Sequence, residues 1–86
     1  MSVVAEAVTV EQIHELIIAG EPSRAKEIWL NQIKPTLDGH GMQFYRWQCI
    51  TMRVEHVINC LSRSKDPRDN AVAARITTSL LLFRRS

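Results

Sequence analysis

Residues 42–61 read MQFYRWQCITMRVEHVINCL, and this stretch decides the fold. At the helical spacing of about 100° per residue, it carries apolar side chains on two opposite faces instead of one. One stripe holds Tyr45, Cys49, Met52, His56 and Cys60, and the opposite stripe holds Trp47, Ile50, Val54, Val57, Ile58 and Leu61. Apolar surface is stable where it is removed from water. The pattern therefore predicts a central helix that the rest of the chain covers on both sides.

The composition is that of a folded, all-helical protein. Hydrophobic residues make up 45% and charged residues 23% of the 86 positions, which is close to the globular average. Three glycines and three prolines are few for a chain built from β-hairpins. We therefore predict an all-α fold, a small four-helix bundle with a long central third helix at about residues 42–63. We expect a single domain over residues 1–86, with a flexible N-terminal segment at residues 1–8.

Capping residues place the first two helices. Thr9 and Gln12 have the spacing of a capping box, which predicts a first helix at about residues 10–19. Gly20 follows that helix and suits a left-handed cap. The second helix is then expected at about residues 22–33, since proline is favoured at the first helical position.

Two prolines and a glycine-rich segment place the remaining helices. Pro35 is expected to end or kink the second helix, and residues 37–41 to form a loop. Asp66 precedes a proline and is expected to cap a fourth helix. The core face of that helix is predicted to carry Val72, Ala73, Ile76, Leu80 and Phe83.

The junction of the first two helices resembles the second half of a tetratricopeptide-type hairpin. The residues that match in type and spacing are Gly20, Ala25, Trp29 and Ile33. The resemblance covers about sixteen residues, and no second copy follows. It implies the geometry of a tight helical pair, in which Ala25 permits close approach and Trp29 fills the space beside it.

The cysteines and histidines do not predict a metal site or a catalytic centre. His56 and Cys60 lie one helical turn apart, but Cys49 is two turns from His56, and no CxxC or HxxxH pattern completes a ligand set. The carboxylates are not paired for acid–base chemistry, and Gly39-His40-Gly41 lacks the strand and third glycine of a phosphate-binding loop. We therefore expect no enzyme activity, no metal, no cofactor and no small-molecule substrate.

The sequence favours a cytoplasmic location without membrane attachment. Residues 1–10 have no basic opening and carry Glu6, unlike a secretory signal. The longest run of large apolar residues, Leu80–Phe83, is far too short to span a bilayer. Cys49 and Cys60 on one helix would be separated by roughly 16 Å of rise, beyond disulfide reach. Two reduced thiols fit a reducing compartment.

Charge is distributed unevenly along the chain. Residues 1–43 hold three basic and six acidic residues, a net charge of −3, whereas residues 44–86 hold eight basic and three acidic residues, a net charge of +5. This asymmetry predicts either two halves that face each other, the interpretation we favour, or a basic binding surface. The candidate basic surface consists of Arg46, Arg53, Arg63, Lys65 and Arg68.

The end of the fourth helix supplies the principal candidate for a binding site. Leu81 and Leu82 point away from its predicted core face, and Arg85 adds a basic edge. We expect a small non-enzymatic protein–protein interaction module, regulatory or adaptor in type, that self-associates as a homodimer through these three residues. The alternative is an accessory protein that binds nucleic acid through the basic surface.

Overall fold

The computed structural model describes residues 3–37 and 39–85, with side chains from Thr9 onward within those ranges. It contains four α-helices, which are α1 (Val3–Ile18), α2 (Pro22–Ile28), α3 (Gly39–Ser62) and α4 (Pro67–Arg84). The described ranges contain no β-strand. α3 is 24 residues long and packs against α1 and α4. The prediction of an all-α bundle with a long third helix is therefore confirmed.

α1 begins at Val3, well before the predicted start near residue 10. Thr9 lies inside the helix, so the capping-box prediction is wrong as a helix start. The alanines and the glutamate that precede Thr9 are strong helix formers, and they extend the helix toward the N-terminus. Met1 and Ser2 lie outside the described residues. A helical backbone conformation is not by itself a measure of mobility. The flexibility predicted for residues 1–8 therefore stays a prediction.

The end of α1 follows the predicted glycine cap. Gly20 has φ 83°, in the left-handed region that favours glycine. Its amide donates to the Ile17 carbonyl at 3.1 Å, and the Glu21 amide donates to the Leu16 carbonyl at 2.8 Å. This pair of hydrogen bonds is a Schellman motif, which satisfies carbonyls at the helix end. The tight turn brings α2 onto α1, so the hairpin geometry implied by the resemblance is confirmed.

The second helical stretch changes its winding before Pro35. α2 continues as a π-helical segment at Trp29–Ile33 and then as a 3₁₀ turn at Lys34–Thr36. Proline has no amide hydrogen to donate, and its ring crowds the carbonyl four residues earlier, so regular α-helix cannot run through Pro35. The Thr36 hydroxyl donates to the Ile33 carbonyl at 2.7 Å and closes the segment. Regular α-helix thus ends before Pro35, in agreement with the prediction that this proline ends or kinks the second helix.

α3 begins at Gly39, so part of the loop predicted at residues 37–41 is helical. Gly39 has φ 74°, and this left-handed conformation lets the chain turn into the helix. Asp38 lies outside the described residues. At the other end of α3, a short turn leads into α4, and the Asp66 carboxylate accepts from the Arg68 amide at 2.9 Å. Asp66 is therefore the N-cap of α4, as predicted.

The core lies where α1, α2, α3 and α4 converge. It includes an aromatic cluster in which the half-buried Trp47 ring stacks on Phe83 at 4.6 Å between centroids and meets Trp29 edge-on at 5.3 Å. The Ser79 hydroxyl is buried and donates to the Ile17 carbonyl at 2.6 Å, which ties α4 to α1. The buried hydrophobic residues are Val10, Ile13, Ile17, Ala25, Trp29, Ile33, Ile50, Val54, Ala73, Ile76, Leu80 and Phe83.

α3 is covered on one side only. The stripe that begins at Trp47 packs into the core, whereas Tyr45 and Met52 on the opposite stripe are 59% and 63% exposed. The prediction that both stripes would be covered within the chain is wrong. α1 and α4 pack on the two flanks of α3, and α2 packs on α1 and α4. None of the described helices therefore lies over the stripe that carries Tyr45 and Met52.

Candidate interaction surfaces

The first candidate surface is the uncovered face of α3. We define the outer stripe of α3 as Met42, Tyr45, Cys49, Met52, His56 and Asn59. These positions are separated by alternating steps of three and four residues, which is the spacing of a coiled-coil seam. Cys49 is half-buried, and the other five side chains are exposed. The outer stripe contains no Asp, Glu, Lys or Arg.

Ion pairs line both edges of the outer stripe. On the α1 side, the Arg53 guanidinium contacts the Glu11 carboxylate of α1 at 2.6 Å. On the α4 side, the Arg84 guanidinium donates to the Glu55 carboxylate of α3. The apolar band between them is therefore flanked by charges that are already neutralised.

The second candidate surface is the predicted one at the end of α4. Leu81 is 54% exposed and Leu82 is 52% exposed, and Arg85 is also exposed. The prediction that Leu81 and Leu82 point away from the core face of α4 is therefore confirmed. Leu81 lies one turn from Arg84 and therefore on the α4 flank nearest α3, since residues three apart share a face. Leu82 is two residues from Arg84 and points away from that flank.

The five residues of the predicted basic surface do not form one patch. Arg46 is half-buried, and Arg53 is paired with Glu11. Arg63 lies 17 positions beyond Arg46, roughly 26 Å along the helix axis. Lys65 is exposed in the connection between α3 and α4. Arg68 is exposed in the first turn of α4, where it contacts the Asp66 carboxylate at 3.4 Å. The Arg53–Glu11 pair joins the basic half of the chain to the acidic half, whereas the Arg84–Glu55 pair lies within the basic half, so the interpretation of the charge asymmetry stays a prediction.

Lys26, which the sequence pattern does not single out, has a distinctive structural environment. The Lys26 ammonium donates to the Phe83 carbonyl at 3.1 Å and lies 4.7 Å from the centre of the Trp47 ring. The ammonium therefore binds a carbonyl in the last turn of α4, where the helix dipole favours a cation. Burial lowers the pKa of Lys26 from its usual 10.5, and repulsion from Lys34 lowers this pKa further. The role of Lys26 is to join α2 to the end of α4.

Two open grooves lie on the surface of the bundle. One has a volume of about 350 Å³ between α1 and α2 and is lined by Gln12, Glu15, Leu16, Ala19, Arg24 and Ile28. The other, also about 350 Å³, is lined by Trp29, Lys34, His40, Gln43, Phe44 and Trp47. Neither encloses a convergent set of polar groups of the kind that orients a small ligand.

The thiol and imidazole groups on α3 lie near one another. The Cys60 sulfur is 3.7 Å from His56 Nε2, and both side chains are exposed. A search of the described residues finds no group of three or more His, Cys, Asp or Glu side chains that could hold a metal ion. In the same residues, no helix has the length and hydrophobicity needed to cross a membrane.

The structure therefore has two exposed, largely apolar surfaces, which are the outer stripe of α3 and the leucine pair at the end of α4. Comparison with protein families, with curated proteins and with solved structures gives no significant match for this chain.

Proposed function

We propose that this protein is a small non-enzymatic interaction module, regulatory or adaptor in type, that binds protein through exposed apolar surface and associates with itself. One observation carries the proposal: large apolar side chains on α3 and α4 are about half or more exposed on the outside of the bundle. Contiguous exposed apolar surface on a small protein is typical of a binding site.

Leu81, Leu82 and Arg85 are the binding residues proposed on α4. Two neighbouring leucines give a hydrophobic contact, and Arg85 offers a cation at its edge, where solvent remains. Catalysis, a bound cofactor and a small-molecule substrate are not part of the proposal. A cytoplasmic location is proposed because Cys49 and Cys60 are free thiols.

The nucleic-acid alternative has weaker support. Arg53 and Arg68 already contact carboxylates, and the five basic residues are spread along α3 and the turn that follows it. A phosphate backbone would have to displace these partners. Binding that falls steeply as salt rises would support this alternative, because each neutralised phosphate releases counterions.

The test is the solution mass of the wild-type chain over a range of concentrations, compared with that of the Leu81→Glu/Leu82→Glu variant. We expect the wild type to exceed the monomer mass of 9.8 kDa and the variant to associate more weakly. Asn31→Glu/Gln32→Glu is the control, because it adds the same two charges at adjacent exposed positions that carry no large apolar side chain and lie outside α4. Far-UV circular dichroism should show unchanged helicity in both variants.

Two results would contradict the proposal in different ways. A wild-type chain that stays at 9.8 kDa at all concentrations would contradict self-association. Association that survives Leu81→Glu/Leu82→Glu unchanged would leave self-association standing but exclude these leucines as its site.

A further inference from the structure

The side of α4 that points away from the core is basic and carries no carboxylate. We define the outer face of α4 as the exposed residues Ala71, Ala74, Arg75, Thr78, Leu81, Leu82 and Arg85. At about 100° per residue, these positions fall within an arc of roughly 120°. The Thr78 hydroxyl donates to the Ala74 carbonyl at 3.2 Å, so the uncharged polar group of this face is already satisfied. The outer face of α4 therefore offers small and apolar side chains together with two arginines.

Arg75 and Arg85 are the cations of this face. In the part of the chain that the structure describes, neither guanidinium forms an ion pair, whereas Arg68 and Arg84, the other arginines of α4, both contact carboxylates. Ten positions separate Arg75 from Arg85, which corresponds to about 15 Å along the helix axis. The outer face of α4 therefore carries two positive charges that its own surroundings leave without a carboxylate partner.

We propose that the outer face of α4 binds an amphipathic helix of a different protein, one whose apolar stripe is edged by carboxylates. This inference rests on the proposed function, in which Leu81, Leu82 and Arg85 bind protein; it names the class of partner and adds Arg75 to the site. A guanidinium binds a carboxylate through two parallel hydrogen bonds. Two carboxylates about 15 Å apart on the partner helix match the separation of the two arginines.

A groove beside Arg75 adds a concave element to this site. It has a volume of about 240 Å³ and lies between the end of α1 and α4, where Ile18, Val72 and Ile76 line it together with Arg75. Ile18 and Val72 are half-buried, so apolar surface is open to a partner there. The groove is smaller than the roughly 300–1,000 Å³ of small-molecule pockets and suits one apolar side chain. One such side chain in the groove and another on the leucine pair would hold the partner helix at two points.

Charge favours a foreign partner over a second copy of this chain at the outer face of α4. A two-fold contact places the same surface on both sides. If the two helices run parallel, Arg75 faces Arg75 and Arg85 faces Arg85; if they run antiparallel about the centre of the face, Arg75 faces Arg85. Like charges that face each other across an interface oppose association. An acidic partner meets both arginines favourably and is therefore expected to displace self-association through α4.

The leucine pair favours an acidic protein over a nucleic acid as the partner. Leu81 and Leu82 lie between Arg75 and Arg85 in the chain and are about half exposed. Contact with phosphates neutralises arginines but covers no apolar surface. An amphipathic helix does both, because its apolar stripe covers the leucines while its acidic edges meet the arginines. An apolar centre with a charged rim is the anatomy of a protein interface.

The test measures the fluorescence anisotropy of labelled probe peptides titrated with the full chain. The acidic probe is a synthetic helix of about 18 residues, with leucines at alternating steps of three and four and glutamates along both edges of the leucine stripe. The basic probe has the same sequence with every glutamate replaced by lysine. We expect the acidic probe to bind about tenfold or more tightly than the basic probe, because the arginines attract one and repel the other.

Arg75→Gln is the variant that isolates this inference, because Arg75 is not among the binding residues of the proposed function. We expect it to weaken binding of the acidic probe about fivefold, the effect of losing one ion pair. Arg24→Gln is the matched control, because it removes the same charge from an exposed position of α2, where Arg24 contacts Glu21 at 3.5 Å. It should leave the affinity within about twofold of the wild type.

A charge reversal guards against loss of the fold as an explanation. Arg75→Glu/Arg85→Glu should invert the preference, so that the basic probe binds more tightly than the acidic one. A misfolded chain would lose both probes instead of exchanging them. A reversed variant that keeps the preference of the wild type would overturn the inference.

The outcomes separate this inference from the proposed function. Equal affinities for the two probes, no binding of the acidic probe, or equal effects of Arg75→Gln and Arg24→Gln would overturn the acidic partner and leave self-association standing. A DNA duplex that binds more tightly than the acidic probe would also overturn it and assign the arginines to phosphate. A wild-type chain that is monomeric at every concentration but binds the acidic probe would overturn self-association and support this inference.

Discussion

The two phenylalanines of this chain provide a sharp test of the core, because one is fully buried and the other is 62% exposed. Phe83 has no exposed surface, and its ring stacks on Trp47. Replacement of a buried phenylalanine by alanine costs about 3–5 kcal/mol, the sum of lost burial and the cavity left behind. A domain of 86 residues is expected to have a free energy of unfolding of about 4–13 kcal/mol. Phe83→Ala should therefore remove about a quarter or more of the stability.

The assay is urea unfolding followed by tryptophan fluorescence, since Trp29 and Trp47 both lie in the aromatic cluster. Phe44→Ala is the matched control, because the same atoms are removed from an exposed site. It should change the free energy of unfolding by no more than about 0.5 kcal/mol. Equal losses in the two variants, or a loss below about 1 kcal/mol in Phe83→Ala, would refute the description of the core.

Three further predictions concern single polar side chains. Lys26→Met should change the free energy of unfolding little at neutral pH, because loss of the hydrogen bond to the Phe83 carbonyl is offset by removal of an ammonium that burial disfavours; as the pH approaches 10.5 the variant should become less stable relative to the wild type, as followed by urea unfolding at several pH values. Ser79→Ala should cost about 1 kcal/mol, at the low end of the usual range, because the Ile17 carbonyl keeps the Gly20 amide as a donor. Asp66→Ala should lower the melting temperature by about 4–8 °C, since loss of an N-cap costs about 1 kcal/mol.

The sign of the Lys26 prediction follows from proton binding. The pKa of Lys26 lies below 10.5 in the folded chain because burial and Lys34 disfavour the ammonium. Between the folded pKa and 10.5 the unfolded chain binds more protons, so the stability of the wild type rises with pH in that window. Lys26→Met lacks this gain. A stability difference that does not vary with pH up to about 10.5 would contradict the prediction.

Two exposed residues serve as controls for the other substitutions. Thr78→Ala removes a hydroxyl that bonds within α4 only, so its effect should stay within about 0.5 kcal/mol and contrast with Ser79→Ala. Lys65→Ala lies next to the cap without making its hydrogen bond and should leave the melting temperature nearly unchanged. A Lys65→Ala shift as large as that of Asp66→Ala would show that the cap is not the cause.

The sequence predicted those parts of the fold that depend on local chemistry. Gly20 and Asp66 ended and began helices as expected, because a positive φ and a carboxylate acceptor are properties of single residues. The helical register also placed Leu81 and Leu82 outside the core. The predicted start of α1 was wrong because Thr9 and Gln12 are also compatible with a helix interior. At such positions the neighbouring residues decide whether the helix continues.

The uncovered side of α3 could not be derived from periodicity. A helical wheel shows that Tyr45 and Met52 share a face, but it does not show whether another part of the chain reaches that face. The number and length of the other helices decide this, and here they cover only the side of Trp47. For the same reason the Arg53–Glu11 contact follows from the packing of α1 on α3 and not from the separate charges of the two halves.

The hydrogen bond between Ser79 and Ile17 has a consequence for the order in which the protein folds. It joins residues 62 positions apart, whereas Asn70 reaches the Leu61 carbonyl across only nine. Closing the longer loop costs about 4 kcal/mol of chain entropy, against about 2 kcal/mol for the shorter one. We therefore expect the α3–α4 hairpin to form early and the docking of α1 onto it to be the slower step that completes the bundle.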